Sequence, residues 1–522
     1  MRLPASKSLK HVVLPCLLAF LSIMPLGSVV LVPARGFAAL DMTGAVQVKD
    51  PFGACHADSY GIMADLGIKN NRKDISWSEI EPINDAWYWT NWDNRMAGLK
   101  ACNMTALPIL DYSNWAVQEG GMHGKVGNYI TTEHDLEEWL EYANACVERY
   151  YENDSHYTRY WELWNEPNLG DIGSNSGFWT GTDAEYFALQ KATAANLSAR
   201  WPGLQLVSAG ISGHDPKYLD AMFASGAMEN VDVLAFHPYS GSNYENLDSK
   251  IADVKAVASK WGFTGPIWIT EVGMSTQFDP EAPGYEARYQ ATLELQATLV
   301  PKVYCLALAN GIEYVTWYCL GDFADWKWGE ANFGLVFDDS NTYKPAPYAS
   351  DIYKPSGYAY KAIAHQLNWS TFVPNGVSLA NPGLPSAPRL RSFYFLKGNG
   401  DVVFICWNAN GEIATNIQFS MPADGVDVYS GPSYKPGLAT NYDVATTADG
   451  ITVSAAIGFS PTIFVIDMKP GAPATSIVIE TTFNFYDASL LVIVPSLLAT
   501  CIIAFVARYT PLKKYNRKLT KR

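Results

Sequence analysis

Between residues 50 and 365, short β-rich runs alternate with longer stretches in which apolar residues return every three or four positions. The runs predict strands near 52–57, 68–75, 105–111, 158–164, 204–209, 231–236, 266–271 and 312–318. Amphipathic spacing between them predicts helices that include 91–102, 133–151, 183–200, 246–261 and 285–310. This alternation implies an α/β fold with a parallel sheet, and eight such units suit a (β/α)8 TIM barrel over 45–367. A doubly wound sheet is the alternative; it is disfavoured because no Gly-rich phosphate turn follows any strand.

After Trp369 the pattern changes. Arg391–Leu396, Asp401–Trp407, Ile413–Ser420, Ile451–Ile457 and Thr462–Asp467 are short and rich in β-branched and aromatic residues, with Gly398-Asn399-Gly400 and Asn410-Gly411 as turns. They predict a small antiparallel β-sandwich over 369–468. A Pro/Gly/Thr stretch then predicts a linker, 470–485.

The two ends are apolar. Val12 to Ala34 carries no charge and follows a basic start, so residues 1–38 read as a secretory signal peptide or an uncleaved signal anchor, with Gly36-Phe37-Ala38 as a cleavage site. Ala488 to Ala507 forms an uncharged stretch of 20 residues, enough for a transmembrane helix 488–507, before a basic tail, 508–522, which is expected in the cytoplasm. These features predict a surface enzyme or receptor whose main domain lies outside the cell, anchored at the surface with membrane lipid as a partner.

Charge narrows the choice of ligand. The net charge is −15, and the ends carry +4 and +6, which leaves −25 for residues 41–485. No basic stripe interrupts that acidic body, so nucleic acid is excluded as a partner. Six cysteines lie outside the apolar ends (Cys55, Cys102, Cys146, Cys305, Cys319 and Cys406) without CxxC or His-paired spacing, so neither a metal nor a cofactor is expected. A Cys102–Cys146 disulfide and free thiols both remain open. Sequons occur at Asn103, Asn153, Asn196 and Asn368.

Barrel chemistry collects where strands end. Strand four runs into Trp161-Glu162-Leu163-Trp164-Asn165-Glu166-Pro167, and strand seven into Trp268-Ile269-Thr270-Glu271. A carboxylate closing a buried strand is costly unless it is paired or functional, and two from different strands can flank one glycosidic bond. Glu162 and Glu166 lie about 13 Å apart along an extended strand, too far to be that pair. Glu162 is therefore read as an interior residue bonded to a cation, with Arg72 the nearest choice. All 17 Trp lie between Trp77 and Trp407; Trp115, Trp179, Trp326 and Trp328 fall in strand-to-helix loops that would stack on sugar faces.

Trp164-Asn165-Glu166-Pro167, with Glu271 after a later strand, resembles the clan A glycoside hydrolases, families 5 and 39 in particular. The resemblance takes in Arg72 within Asn71-Arg72-Lys73, His237-Pro238-Tyr239 after strand six, Trp317 at the end of strand eight and Phe333-Gly334-Leu335-Val336. It implies a retaining enzyme acting on oligo- or polysaccharide, with Glu166 as acid/base and Glu271 as nucleophile. It further implies that Asn165 holds the sugar 2-hydroxyl, that Tyr239 donates to Glu271, and that Arg72 lowers the pKa of Glu271. His237 would orient the nucleophile side, Trp317 would floor the sugar site, and repulsion from Glu271 would keep Glu166 protonated. An envelope-remodelling transglycosylase and a non-hydrolytic carbohydrate-binding surface protein are the alternatives.

Overall fold

The computed structural model describes residues 37–482 apart from 120–128, 131, 171–176, 278, 280, 324–328, 339–343, 346–347, 381–389, 410–414, 432–433 and 435–441. The signal segment, the transmembrane stretch 488–507, the tail 508–522, Trp326 and Trp328 lie outside the described residues. No helix among the described residues is long and apolar enough to cross a membrane.

Eight parallel strands close a barrel: Phe52–Cys55, Asn70–Asp74, Thr105–Leu110, Tyr160–Asn165, Gln205–Ser212, Leu234–His237, Ile267–Val272 and Val315–Trp317. They are numbered one to eight below. Strands covered by helices outside and side chains inside must be apolar on both faces, and strand seven is buried at every position. The helices follow from caps and stripes. Thr182 and Glu185 form a reciprocal capping box that starts Asp183–Arg200, and Thr132 accepts from Asp135 N to start Glu133–Asp154. Shorter helices at Tyr60–Leu66 and Pro216–Ala224 complete units that the periodicity leaves out.

The sandwich is larger than its predicted boundaries. One sheet orders Val46–Gln47, Thr371–Phe372, Leu390–Leu396, Val402–Asn408, Thr462–Met468 and Ala423–Ser430. The other orders Val377–Leu379, Ile477–Thr482, Thr415–Met421, Ile451–Ile457 and Tyr442–Thr446. It thus recruits two residues from before the barrel. It also takes Ile477–Thr482 from the stretch read as a linker, where Ile477 and Ile479 are wholly buried. Pro and Gly at 470–473 mask the alternating isoleucines that follow. Barrel and sandwich meet through polar contacts: Lys302 Nζ lies 2.8 Å from Glu245 Oε1, which also accepts from Trp407 Nε1 at 2.9 Å, and Thr298 bonds Ser460 at 2.8 Å.

Candidate active site

The carboxylates converge because both strands break their alternation. In strand four a strict two-residue period would turn Glu162, Trp164 and Glu166 inward and Asn165 outward. Trp164 instead sits at φ 83° and Glu166 at φ 44°, conformations that cost a non-glycine residue energy. The reversal sends the Trp164 ring out against Trp139 and Trp179, with its Nε1 donating to the Phe178 carbonyl at 2.8 Å. Asn165 and Glu166 both turn in. Strand seven does the same by a bulge, since Ile269 and Val272 oppose Val315 and Trp317, three steps against two. Thr270 and Glu271 therefore both face the barrel axis.

Arg72, buried in the middle of strand two, ties these residues together. Its Nε and Nη2 lie 2.6 and 3.0 Å from the two Glu162 oxygens, its Nη1 lies 2.5 Å from Glu271 Oε1, and its Nη2 also donates to Asn165 Oδ1 at 2.9 Å. Glu162 is thus the interior ion-pair partner read from the sequence. Tyr239 donates to Glu271 Oε2 at 2.9 Å. Asn165 Nδ2 is 3.3 Å from the Tyr112 hydroxyl.

His237 lies elsewhere than expected. Its Nδ1 is 2.8 Å from Glu166 Oε1 and 3.7 Å from Glu271 Oε2, so its hydrogen bond serves Glu166. Trp317 is also displaced from its expected role. It is wholly buried in the barrel core with Nε1 3.4 Å from the Phe333 carbonyl, so no ring face is open to a sugar. The neighbouring Tyr318, half-buried between His56 and Phe333, holds the accessible position. Trp179 is core as well, whereas Trp115 is exposed. Cys102 and Cys146 are free thiols, as are the other four described cysteines.

Burial raises the Glu166 pKa to about 7, against an opposing pull from Arg72 and from a Ser212 hydrogen bond. Desolvation thus supplies the upward push expected from Glu271. Burial likewise raises Glu271, while His237, Arg72 and the Tyr239 hydroxyl act against it. The expected net lowering by Arg72 is outweighed by desolvation. Glu271 nevertheless has a guanidinium and a phenol bonded to it and Glu166 has no bonded cation, so Glu271 is the first of the two to ionise. Burial lowers the His237 pKa to about 4, which leaves the ring neutral at neutral pH.

Glu166, His237 and Glu271 each place one ligand-type atom within 4.8 Å of the others, the one such trio among the described residues. Both Glu271 oxygens already accept from Arg72 and Tyr239, so a cation there would sit against a guanidinium. The donor set suits proton transfer better than metal binding. A cavity of about 980 Å³ opens at the other end of the barrel, beside Asn70, Thr105, Tyr160 and Tyr314, where strands begin. It lies away from both carboxylates.

Sequence reasoning missed Tyr112, Ser212, Gly210, Thr270 and Tyr318. Tyr112 and Ser212 follow from the strand-end rule applied to strands three and five. Gly210 and Thr270 lie inside strands, and only contacts across the barrel reveal them.

Residues 87–301 match the family model described as the glycosyl hydrolase catalytic core. That span includes strands three to seven and both carboxylates, so the barrel carries a glycosidase-type catalytic core. A curated β-xylosidase from Caldicellulosiruptor saccharolyticus is 29% identical over 182 residues, 31% of this chain and 35% of that protein. The match thus spans about a third of that relative's length. Among solved structures, a family 39 glycoside hydrolase from Bacteroides cellulosilyticus aligns at TM-score 0.60 and 17% identity, over 80% of this chain and 81% of that one. A β-xylosidase from Caulobacter crescentus aligns at TM-score 0.55 and 15% identity, over 82% and 99%. A family 30 endoxylanase from Clostridium papyrosolvens aligns at 0.54 and 16%, over 83% and 100%. These likenesses show the fold, an eight-stranded parallel barrel with additional antiparallel sheets.

Proposed function

We propose that the protein is a retaining glycosidase that cleaves β-glycosidic bonds of oligo- or polysaccharide, with β-xylosides the first substrates to test. One observation carries the reading: an oxygen of Glu166, just past strand four, and one of Glu271, near the end of strand seven, lie within 4.8 Å of each other. Retaining pairs sit about 5–5.5 Å apart, whereas inverting pairs leave about 6.5–9.5 Å for a water. Glu271, held by Arg72 and Tyr239, attacks the anomeric carbon as its bond to the leaving oxygen breaks. Glu166 passes its proton to that oxygen, then takes one from the water that displaces Glu271. Asn165, beside Glu166, is placed to meet the sugar 2-hydroxyl. The β-xyloside class is suggested by the xylosidase and xylanase among the similar proteins.

The test is hydrolysis of aryl β-glycosides, xyloside first, beside Glu271→Gln and Glu166→Ala. Turnover abolished in the first, and rescued by azide in the second as a β-glycosyl azide, supports both roles. Carbohydrate binding without any turnover would replace the enzyme by a sugar-binding protein. A cell-surface location on a membrane anchor is part of the proposal, supported by the apolar stretches 12–34 and 488–507. Release of the protein from membranes on deletion of 488–522 tests it.

A further inference from the structure

Behind Glu166 an unbroken line of hydrogen bonds leads into the barrel interior. Glu166 Oε1 is 2.8 Å from His237 Nδ1, His237 Nε2 is 3.0 Å from Thr270 Oγ1, and Thr270 Oγ1 is 3.1 Å from Glu162 Oε1. His237, Thr270 and Glu162 have no solvent exposure. Gly210 makes the line possible: a Cβ there would come within 2.0 Å of His237 Nε2 and 2.6 Å of Thr270 Oγ1. Its own N–H donates to Glu162 Oε1 at 3.0 Å.

The direction of the line follows from counting hydrogens. Every other contact to Glu162 comes from a donor, two from Arg72 and one from Gly210, so its carboxylate takes the single hydroxyl hydrogen of Thr270. The Thr270 oxygen is then an acceptor, and His237 meets it with Nε2–H. A neutral imidazole has one N–H, so Nδ1 bears a lone pair and the hydrogen at its contact with Glu166 belongs to Glu166.

We propose that Glu162 and Thr270 are positioning residues that fix His237 as the Nε2–H tautomer, making its Nδ1 the acceptor for the proton of acid-form Glu166. This rests on the retaining reading and deepens it. The proton leaves Glu166 for the departing oxygen as that C–O bond breaks. In the second step water gives its hydroxyl to the anomeric carbon, the Glu271–carbon bond breaks, and the remaining proton restores the Glu166–His237 bond. The charged or titratable groups facing this pair are Arg72 from strand two, Glu162 from strand four, Glu271 from strand seven, Tyr239 after strand six and Glu330 from Gly329–Asn332.

Thr270→Val keeps the shape and removes the hydroxyl. His237 is then free to carry Nδ1–H and donate to ionised Glu166, which favours that form. The basic limb of kcat/KM against pH moves down by about one unit, while Thr270→Ser retains the wild-type limb. A basic limb left in place by Thr270→Val overturns the proposal. The tautomer is read without turnover from 15N-labelled imidazoles, with His237 assigned by the resonance missing in His237→Asn. A pyridine-type Nδ1 and pyrrole-type Nε2 in the wild-type protein are expected; the reverse overturns the relay. If no glycoside is cleaved, the retaining reading fails, and this spectrum still decides the tautomer.

Discussion

Two buried ion networks differ in a way that explains why one is a reaction site and the other a joint. Arg72 is shared between Glu162 and Glu271, and Glu166 beside them is left with no bonded cation. Lys302 is wholly buried too, but its ammonium lies 2.8 Å from Glu245 and 3.2 Å from the centre of the Phe459 ring, and Glu245 is closed off further by Trp407 and Arg391. Burial lowers Lys302 to about 8, so this pair also has a shifted pKa. A perturbed pKa therefore does not mark the active site by itself. The mark is a titrating group that keeps an edge open to solvent at the strand ends, as Glu166 does at 6% exposure and Lys302 at 0% does not.

The largest expected effect is on the first network. Glu271→Gln keeps an acceptor oxygen for Arg72, and its NH2 can donate to the Tyr239 hydroxyl oxygen, yet it removes the nucleophile, so kcat falls by about 10⁴-fold or more. The melting temperature stays close to wild type; a large drop in it would show that Glu271 is structural. Next is Arg72→Met, which strands two carboxylates. It is expected to cost about 3–5 kcal/mol of stability in denaturant titration, together with activity. Stability lost without activity would reduce Arg72 to a joint like Lys302.

In the second network Lys302→Met leaves Glu245 with Trp407 and Arg391, so the loss is smaller, about 1–3 kcal/mol. Kinetics should stay within about twofold of wild type, since the pair touches no site residue. A tenfold fall in kcat/KM would mean that the sandwich shapes the site. The smallest effect is the pH response shared by wild type and Lys302→Met. Glu166 must be protonated to act, so kcat/KM declines as pH rises through about 7. On the acid side it declines as Glu271 is protonated, at a pH above the ordinary carboxylate value because burial raises that group. A basic limb that moved in Lys302→Met would couple the two networks.

Much of this was legible along the chain. All eight barrel strands fall within or beside the predicted runs; most are apolar because a strand buried on both faces needs an unbroken run, whereas strand two, Asn70–Asp74, is polar throughout and was legible only from its place in the alternation. Glu166 and Glu271 stand out because a carboxylate closing such a run is expensive. The pairing of Glu162 with Arg72 was legible for the same reason. The later sheets were less so: Val46–Gln47 pairs with Thr371–Phe372, and Ile477–Thr482 with Val377–Leu379 and Thr415–Met421, short segments whose partners lie far off in the chain.

Tertiary structure alone decided which side chains meet. The positive φ at Trp164 and the bulge in strand seven each turn two successive residues inward, which a period of two does not foresee. Those irregularities bring His237 to Glu166 and set Thr270 between His237 and Glu162. They are properties of strand register around a closed barrel. Composition and spacing record how each segment buries itself against water; which polar atoms then face one another depends on how the strands are staggered, and staggering is a property of the assembled sheet.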